Sequence, residues 1–254
     1  MIEKKPALVE MTRTMPLHVE GLENYPSGEP NLLVANHTCM RDIFSVPASL
    51  PEASQIILSA RLMWKRNTAE NAQRRAVIEN SLYGIPLEVH GGEARLRAGF
   101  DMARHALLDD WSVVIFPEGA YTDAQEVTKG RTGASRILFD AMQHGVRPNL
   151  IPVGIDQSPV ADLDSFTDFS GYTNVVIGKP IEYDEAYERF VAANSADERR
   201  SALRDPINRA MRAVAHQISR PYVDEYIPLW PRSTIVLESG EEVSIGELDE
   251  EAVA

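Results

Sequence analysis

The chain has 254 residues, a hydrophobic content of 44% and a formal net charge of -13, a composition typical of a globular protein with a substantial core. No basic stripe with interleaved aromatic residues dominates the sequence, so nucleic-acid binding is not expected. The single cysteine excludes an internal disulfide framework and favours a reducing compartment. The sequence shows neither a run of about 20 apolar residues nor an apolar signal core within Met1 to Glu10. We therefore expect a cytoplasmic protein, with peripheral membrane contact left open.

The charge is unevenly distributed. From residue 222 onward the chain has nine acidic residues and one basic residue, which is typical of a solvated acidic extension. We therefore divide the chain into an N-terminal segment 1–30, a domain 31–221 and an acidic extension 222–254. Residues 61–75 are locally basic. They are either a solvated helix face or a surface for a carrier protein, coenzyme A phosphates or anionic lipid.

Predicted strands and helices alternate along the chain. Short apolar or β-branched runs predict strands at 32–35, 55–59, 85–89, 112–116, 150–155 and 174–178. Longer segments between them predict helices at 42–50, 68–82, 93–108, 132–144 and 197–219, with an interruption left open at Pro206. This alternation predicts an α/β fold: a single layered domain with a mixed, mostly parallel sheet flanked by helices. A hairpin is predicted at 234–244.

The first candidate for chemistry follows the first strand, where His37 and Asp42 are five positions apart. On one continuous helix that spacing would rotate the side chains by roughly 500° and separate them. If His37 instead lies in the turn between strand and helix, Asp42 can reach back to it. A carboxylate that orients an imidazole in this way makes a general base, which takes a proton from a hydroxyl group.

The second candidate is Phe116-Pro117-Glu118-Gly119, which ends a buried strand about 80 residues later. Together with Ile151-Pro152-Val153-Gly154 and Gly178-Lys179-Pro180-Ile181, these blocks resemble the PlsC-type glycerolipid acyltransferases. That family has an N-H-x-x-x-x-D block, a G-(I/V)-x-x-(I/V)-x-R block, an F-P-E-G-T-R-S block and a V-P-V/I-P-V-x block. All four occur here in order within residues 31–181, and Lys129-Gly130 lies where the family has a lysine-glycine pair.

The resemblance implies a glycerolipid-acyltransferase-like fold and an acyl transfer from acyl-CoA or an acyl-carrier protein. His37 would act as general base and Asp42 would orient it, while Glu118 would shape the pocket for a lipid-like or small-molecule acceptor. Backbone N–H groups near Gly119, or the Lys129 side chain, would stabilise the oxyanion. Arg131 is a further candidate for anion binding. The resemblance implies no cofactor and no metal.

Two blocks depart from the family pattern. His90 stands where the second block ends in arginine, and Ala120-Tyr121-Thr122 replaces T-R-S in the third. The family uses those two arginines to hold the acceptor's phosphate, and neither His90 nor Tyr121 offers the planar fork that grips phosphate. We therefore expect an acceptor without a phosphomonoester, unless arginines at other positions restore the grip. The candidates are Arg95, Arg97 and Arg131.

Other interpretations stay open at this point. The protein is an acyltransferase with an unusual acceptor, an ordinary 1-acylglycerol-3-phosphate acyltransferase, or a non-catalytic relative that binds acyl groups or lipids. Cys39, between His37 and Asp42, is either a nucleophile that forms an acyl-cysteine or a small buried hydrophobic residue.

Overall fold

The computed structural model describes residues 3–60, 69–88, 92–121, 125–158, 171–227, 234–236 and 242–244. Its strands are β1 (Leu17–Glu20), β2 (Asn31–Ala35), β3 (Ser54–Ser59), β4 (Tyr83–Leu87), β5 (Ser112–Ile115), β6 (Val127–Thr128), β7 (Asn149–Gln157), β8 (Thr173–Ile177), β9 (Tyr222–Val223), β10 (Thr234–Val236) and β11 (Glu242–Ser244). Its α-helices are α1 (Pro6–Thr14), α2 (Asp42–Ser49), α3 (Ala69–Ser81), α4 (Glu93–Leu108), α5 (Gly133–Gln143), α6 (Asp184–Ala192) and α7 (Ala196–Gln217). A short 3-10 helix covers Leu22–Asn24.

Seven strands form the central sheet in the order β1-β8-β7-β2-β5-β3-β4. Strands β7, β2, β5, β3 and β4 run parallel to one another. Strand β8 pairs antiparallel with β7, and β1 pairs parallel with β8. The sheet is therefore mixed and mostly parallel, which confirms the fold class expected from the alternation of strands and helices.

The two faces of the sheet are covered by different helices. Leu32 and Val34 of β2 belong to a core that is shared with α4, α5 and α7 on one face. Leu33 and Ala35 point to the opposite face and pack in a core with α1, α2 and α3. All four side chains are buried, which explains why this strand is a continuous apolar run rather than an alternating one.

The carboxyl ends of β7, β2 and β5 lie side by side at the centre of one sheet edge. Asn36 fixes the chain where β2 ends, because its Nδ2 donates to the Ile155 carbonyl at 3.0 Å and its Oδ1 accepts from the Ile155 N–H at 2.7 Å. His37 follows directly. Connections from these central strands diverge to both sides of the sheet, and open α/β sheets place their ligand sites at such a point.

The sheet system extends beyond the predicted domain 31–221. Strand β1 belongs to the N-terminal segment 1–30 but pairs with β8 over its whole length. Strand β9 belongs to the acidic extension but pairs with β6. Both strands are short and only partly buried, so neither shows the apolar run by which a strand is predicted from sequence.

Two further expectations are settled by the backbone. Helix α7 is continuous through Pro206, so the interruption left open there does not occur. The proline is buried, and the helix continues past it although it cannot donate a backbone hydrogen bond. The predicted hairpin is confirmed, since β10 and β11 pair antiparallel.

Among the helices of the described ranges, none combines the length and apolar character needed to cross a membrane.

Candidate active site

The side chains of His37 and Asp42 meet at the carboxyl end of β2. His37 lies in the turn after the strand, and Asp42 is the first residue of α2. The His37 Nδ1 atom is 3.0 Å from Asp42 Oδ2. A carboxylate can only accept, so Nδ1 carries the proton and Nε2 remains as the basic nitrogen. The turn therefore creates the base-and-orienter geometry expected from the spacing of these two residues.

The Asp42 carboxylate is completely buried and surrounded by hydrogen-bond donors. Its Oδ2 accepts from the backbone N–H of Thr38 at 2.6 Å and from that of Cys39 at 3.0 Å. Its Oδ1 accepts from Gln157 Nε2 at 2.8 Å. The two backbone donors belong to the turn itself, so this carboxylate both folds the turn and orients the imidazole. Buried carboxylates require such partners, because an unpaired one would be costly.

The imidazole is held between two aromatic side chains. The His37 ring stacks on Phe116, with centroids 4.3 Å apart and 18° between the planes. Tyr121 approaches it edge-on, at 5.1 Å and 72°. The His37 side chain keeps 11% of its surface exposed, while Asp42 keeps none. Part of the imidazole is therefore reachable from solvent, and the packing restricts how the ring can turn.

Glu118 holds the backbone of the site together. One carboxylate oxygen accepts from the His37 N–H at 2.7 Å, and the other accepts from the Thr128 N–H and hydroxyl, each at 2.9 Å. Burial raises the pKa of Glu118, and the hydrogen bonds from Thr128 and His37 oppose that shift. Glu118 is only 1% exposed, and its hydrogen bonds are to the backbone of His37 and to the backbone and hydroxyl of Thr128 in β6.

The other candidates with anion-binding chemistry have partners inside the protein. The Gly119 N–H donates to the Phe116 carbonyl at 3.2 Å. Lys129 Nζ pairs with Asp224 at 3.2 Å and lies over the Tyr226 ring. Arg131 Nη2 donates to the Ile227 carbonyl at 3.0 Å.

Lys129 and Arg131 therefore face the segment 222–227, which pairs with β6 through β9. His90 lies outside the described residues, as do residues 61–68 of the basic segment.

Cys39 lies beside the carboxylate but is a poor nucleophile. Its side chain is 2% exposed, and burial, reinforced by the Asp42 charge, raises the pKa of the thiol to about 11. The thiolate is the reactive form of cysteine, so very little of it is present at neutral pH. These observations favour the interpretation of Cys39 as a small buried hydrophobic residue.

Gln157, the last residue of β7, is a member of this network that the sequence did not single out. Besides donating to Asp42, its Nε2 lies within hydrogen-bond distance of Thr38 Oγ1 and, at 3.0 Å, of Cys39 Sγ. Its Oε1 accepts from Arg41 Nε at 2.8 Å. In the sequence, Gln157 is marked only by its place at the end of a buried strand, three residues after Gly154 of the fourth block, and this place does not indicate a contact with Asp42. In the described residues, no three His, Cys, Asp or Glu side chains cluster as a metal site requires.

The sequence model of the Acyltransferase family matches residues 16–156, more than half of the chain. The matched range contains His37, Asp42 and Glu118 and ends one residue before Gln157. The protein belongs to this family and is an acyltransferase, which confirms the resemblance drawn from the four sequence blocks.

A solved structure shares the fold. The crystal structure of the 1-acyl-sn-glycerophosphate (LPA) acyltransferase PlsC from Thermotoga maritima aligns with a TM-score of 0.50 and 18% sequence identity, over 81% of this chain and 78% of that one. At this identity the likeness supports the fold alone. No curated protein matches the chain significantly in sequence.

Proposed function

We propose that the protein transfers a fatty acyl group from a thioester, acyl-CoA or acyl-carrier protein, directly to a hydroxyl group of a lipid-like or specialised acceptor. The observation that carries the proposal is the 3.0 Å hydrogen bond between His37 Nδ1 and the buried Asp42 carboxylate. It leaves Nε2 of a partly exposed imidazole as the atom that can accept a proton. A positioned base of this kind contributes about 10²- to 10⁴-fold to a rate.

The reaction follows from that geometry. Nε2 of His37 takes the proton of the acceptor hydroxyl while its oxygen attacks the thioester carbonyl. Asp42 stabilises the imidazolium that forms. The tetrahedral intermediate collapses, its C–S bond breaks, and the departing sulfur takes the proton back from Nε2. The ester and the free thiol are the products, and no acyl-enzyme intermediate is required.

Direct transfer is supported by the state of Cys39. Burial and a raised pKa make this thiol unsuited to attack a thioester, and no other cysteine exists in the chain. The structure does not single out one hydrogen-bond donor for the oxyanion. Gly119 N–H and Lys129 Nζ each have an internal partner, so either would have to exchange that partner to serve the transition state.

The proposed acceptor lacks a phosphomonoester. Tyr121, where the family has an arginine, contacts the His37 ring and carries no charge. The arginines named above as candidates to replace that grip have partners: Arg95 pairs with Glu88 at 2.8 Å and Arg97 with Glu93 at 2.6 Å. Arg131 faces the Ile227 carbonyl. Each would have to leave its partner to bind a phosphate.

The test measures thiol release from a medium-chain acyl-CoA and from the matching acyl-carrier protein. Each donor is offered a monoacylglycerol or lysophosphatidate. We expect release with the phosphate-free acceptor, reduced about 10²- to 10⁴-fold in His37→Ala. His18→Ala is the matched control, because His18 is exposed on β1, and its rate should equal that of the wild type.

Three results would count against the proposal. A preference for lysophosphatidate would refute the proposed acceptor. It would favour the alternative interpretation, an ordinary 1-acylglycerol-3-phosphate acyltransferase. Release that is unchanged in His37→Ala would refute the catalytic role of His37. Release that is absent with every donor and acceptor would favour a protein that binds acyl groups without transferring them.

A further inference from the structure

We infer that Gln157 is a positioning residue of the active site: linked to the buried Arg41, its carboxamide holds the second oxygen of Asp42 and thereby aims the carboxylate at His37. This inference rests on the proposed function, since it assigns a role in the same proton transfer. Gln157 lies 115 residues from Asp42 in sequence and reaches it from a neighbouring strand.

The orientation of the Gln157 carboxamide is set by chemistry. Arg41 is 1% exposed and its guanidinium can only donate, so the atom that it contacts at 2.8 Å must be the carbonyl oxygen. The Asp42 carboxylate can only accept, so the atom 2.8 Å from Oδ1 must be the amide nitrogen. A carboxamide satisfies both neighbours in one orientation, and the reversed orientation would satisfy neither.

Fixing Oδ1 matters because Oδ2 carries the catalytic contact. Oδ2 already accepts from His37 and from the backbone of Thr38 and Cys39. A carboxylate held at one oxygen can rotate, whereas one held at both keeps its acceptor direction aligned with Nδ1. Polar networks of this type are effective only when every member is satisfied. Supporting residues of this kind decide whether a site is held closely enough for catalysis.

Arg41 adds a charge effect to this geometry. Its guanidinium lies one carboxamide away from the fully buried Asp42 and provides a positive charge close to that carboxylate. Burying an ionised carboxylate without a counter-charge is unfavourable. The carboxamide transmits this support without neutralising Asp42 by a direct ion pair, which would compete with His37 for the same oxygens.

The experiment replaces Gln157 by Glu in the full-length protein. The variant keeps an oxygen acceptor for Arg41, but it loses the donor to Asp42 and places a second carboxylate against it. We expect kcat for His37-dependent thiol release to fall about 10²-fold, as for other small misplacements of a catalytic group. The KM values for donor and acceptor should change by less than about twofold. The substitution is expected to weaken an interaction made in the transition state and to leave the binding of the substrates unchanged.

Gln217→Glu is the matched control. Gln217 is also partly buried, and its Nε2 donates to the Pro152 carbonyl at 3.4 Å, but it takes no part in the network around Asp42. We expect its kcat to equal that of the wild type. Gln157→Met is a second variant, neutral and of similar length, that removes the donor without adding charge, and it should show the same loss of kcat.

The wild-type protein provides a test that does not depend on how the variants fold. In NMR spectra, the two side-chain amide protons of Gln157 should exchange slowly with solvent, and the Nδ1 proton of His37 should appear as a downfield resonance. Rapid exchange of the Gln157 amide would overturn the inference.

The outcomes separate this inference from the proposed function. A folded Gln157→Glu or Gln157→Met variant with wild-type kcat would overturn the inference, and so would a raised KM with unchanged kcat. If His37→Ala abolishes release in the same assay, the proposed function survives that result. If His37→Ala releases thiol at the wild-type rate, the proposed function itself fails.

Discussion

Asp42 and Glu52 are both buried carboxylates at the ends of the central strands, Asp42 at the carboxyl edge of the sheet and Glu52 at the amino edge. Each accepts hydrogen bonds from the backbone and from a side chain that carries a ring. For Asp42 the ring is the imidazole of His37 at 3.0 Å, and for Glu52 it is the phenol of Tyr25 at 2.9 Å. The two networks are built alike, yet we propose catalysis only for the first.

The difference lies in the partner of the carboxylate. Tyr25 is 6% exposed, and burial raises its pKa, so its hydroxyl keeps the proton at neutral pH. That hydroxyl is also shared with Ser112 Oγ at 2.6 Å, at the start of β5. The imidazole of His37, in contrast, has a second ring nitrogen, Nε2, that does not contact Asp42, and its side chain stays partly exposed. The proposed difference in role therefore follows from the partner of each carboxylate and not from the carboxylate itself.

The largest effect that separates the two networks is expected for Asp42→Asn. The amide group cannot accept from His37 and from the two backbone donors at once, so the imidazole loses its orientation and its tautomer. We expect kcat for thiol release to fall about 10⁴-fold. The matched change Glu52→Gln should leave kcat within about twofold and lower the free energy of unfolding by about 1–3 kcal/mol. Equal losses of activity in both variants would contradict the assignment of a catalytic role to Asp42 and a structural role to Glu52.

Glu118→Gln tests whether the second buried carboxylate at the carboxyl edge of the sheet acts through the backbone. Glutamine offers one acceptor oxygen where Glu118 accepts from the N–H groups of His37 and Thr128 and from the Thr128 hydroxyl. We expect kcat to fall about 10- to 10²-fold through displacement of His37. Chemical denaturation should show a loss of about 1–3 kcal/mol from the unsatisfied donor. A large rise in the acceptor KM at unchanged kcat would instead place Glu118 in contact with the substrate.

Tyr25→Phe tests how the network at the amino edge of the sheet contributes to stability at alkaline pH. Because burial raises the pKa of Tyr25 in the folded protein, above pH 10 the unfolded chain releases this proton before the folded one does. Stability is therefore lost as the pH rises, by about 1.4 kcal/mol per pH unit for this group. Urea unfolding between pH 9 and about 11 should show a shallower decline in the variant. Tyr172→Phe, at an exposed position, should follow the wild-type decline, and a Tyr25 variant that does the same would contradict this account.

The smallest effect on activity is expected for Lys129→Met. Lys129 Nζ is occupied by Asp224 and the Tyr226 ring, so its removal should change kcat by less than about twofold. Steady-state thiol release measures this directly. A loss beyond about tenfold would show that Lys129 leaves Asp224 to stabilise the oxyanion. Asp224→Asn, which removes the competing charge but keeps the shape, would then raise kcat.

The part of the site that the sequence predicted is the part made by neighbours in the chain. His37 and Asp42 share a single turn, so the possible contact could be foreseen from their spacing. Gln157 could not be foreseen, because it reaches Asp42 only through the pairing of β7 with β2. The backbone partners of Glu118 were equally hidden, since a buried carboxylate at a strand end gives no sign of which N–H groups it meets.

The fold shows the same division. Strands such as β2 and β5 are buried on both faces, so their apolar runs predict them from the sequence. β1 alternates between partly buried and exposed residues over only four positions, and β9 has only two residues, so tertiary pairing rather than local sequence defines them. Helix α6 was not predicted from the sequence for a related reason. Only Ala186 is fully buried along it, so it has no long apolar stripe.

The pairing of β1 with β8 has a consequence for synthesis of the chain. Leu17 leaves the ribosome about 150 residues before its partner Thr173. At the usual rates of translation, β1 therefore waits for roughly ten to thirty seconds without the strand that completes its hydrogen bonds. Unpaired strand edges readily bind other chains. The alternation of polar and apolar residues in β1, with charged Glu20 at its end, keeps this early strand from being an apolar edge during that interval.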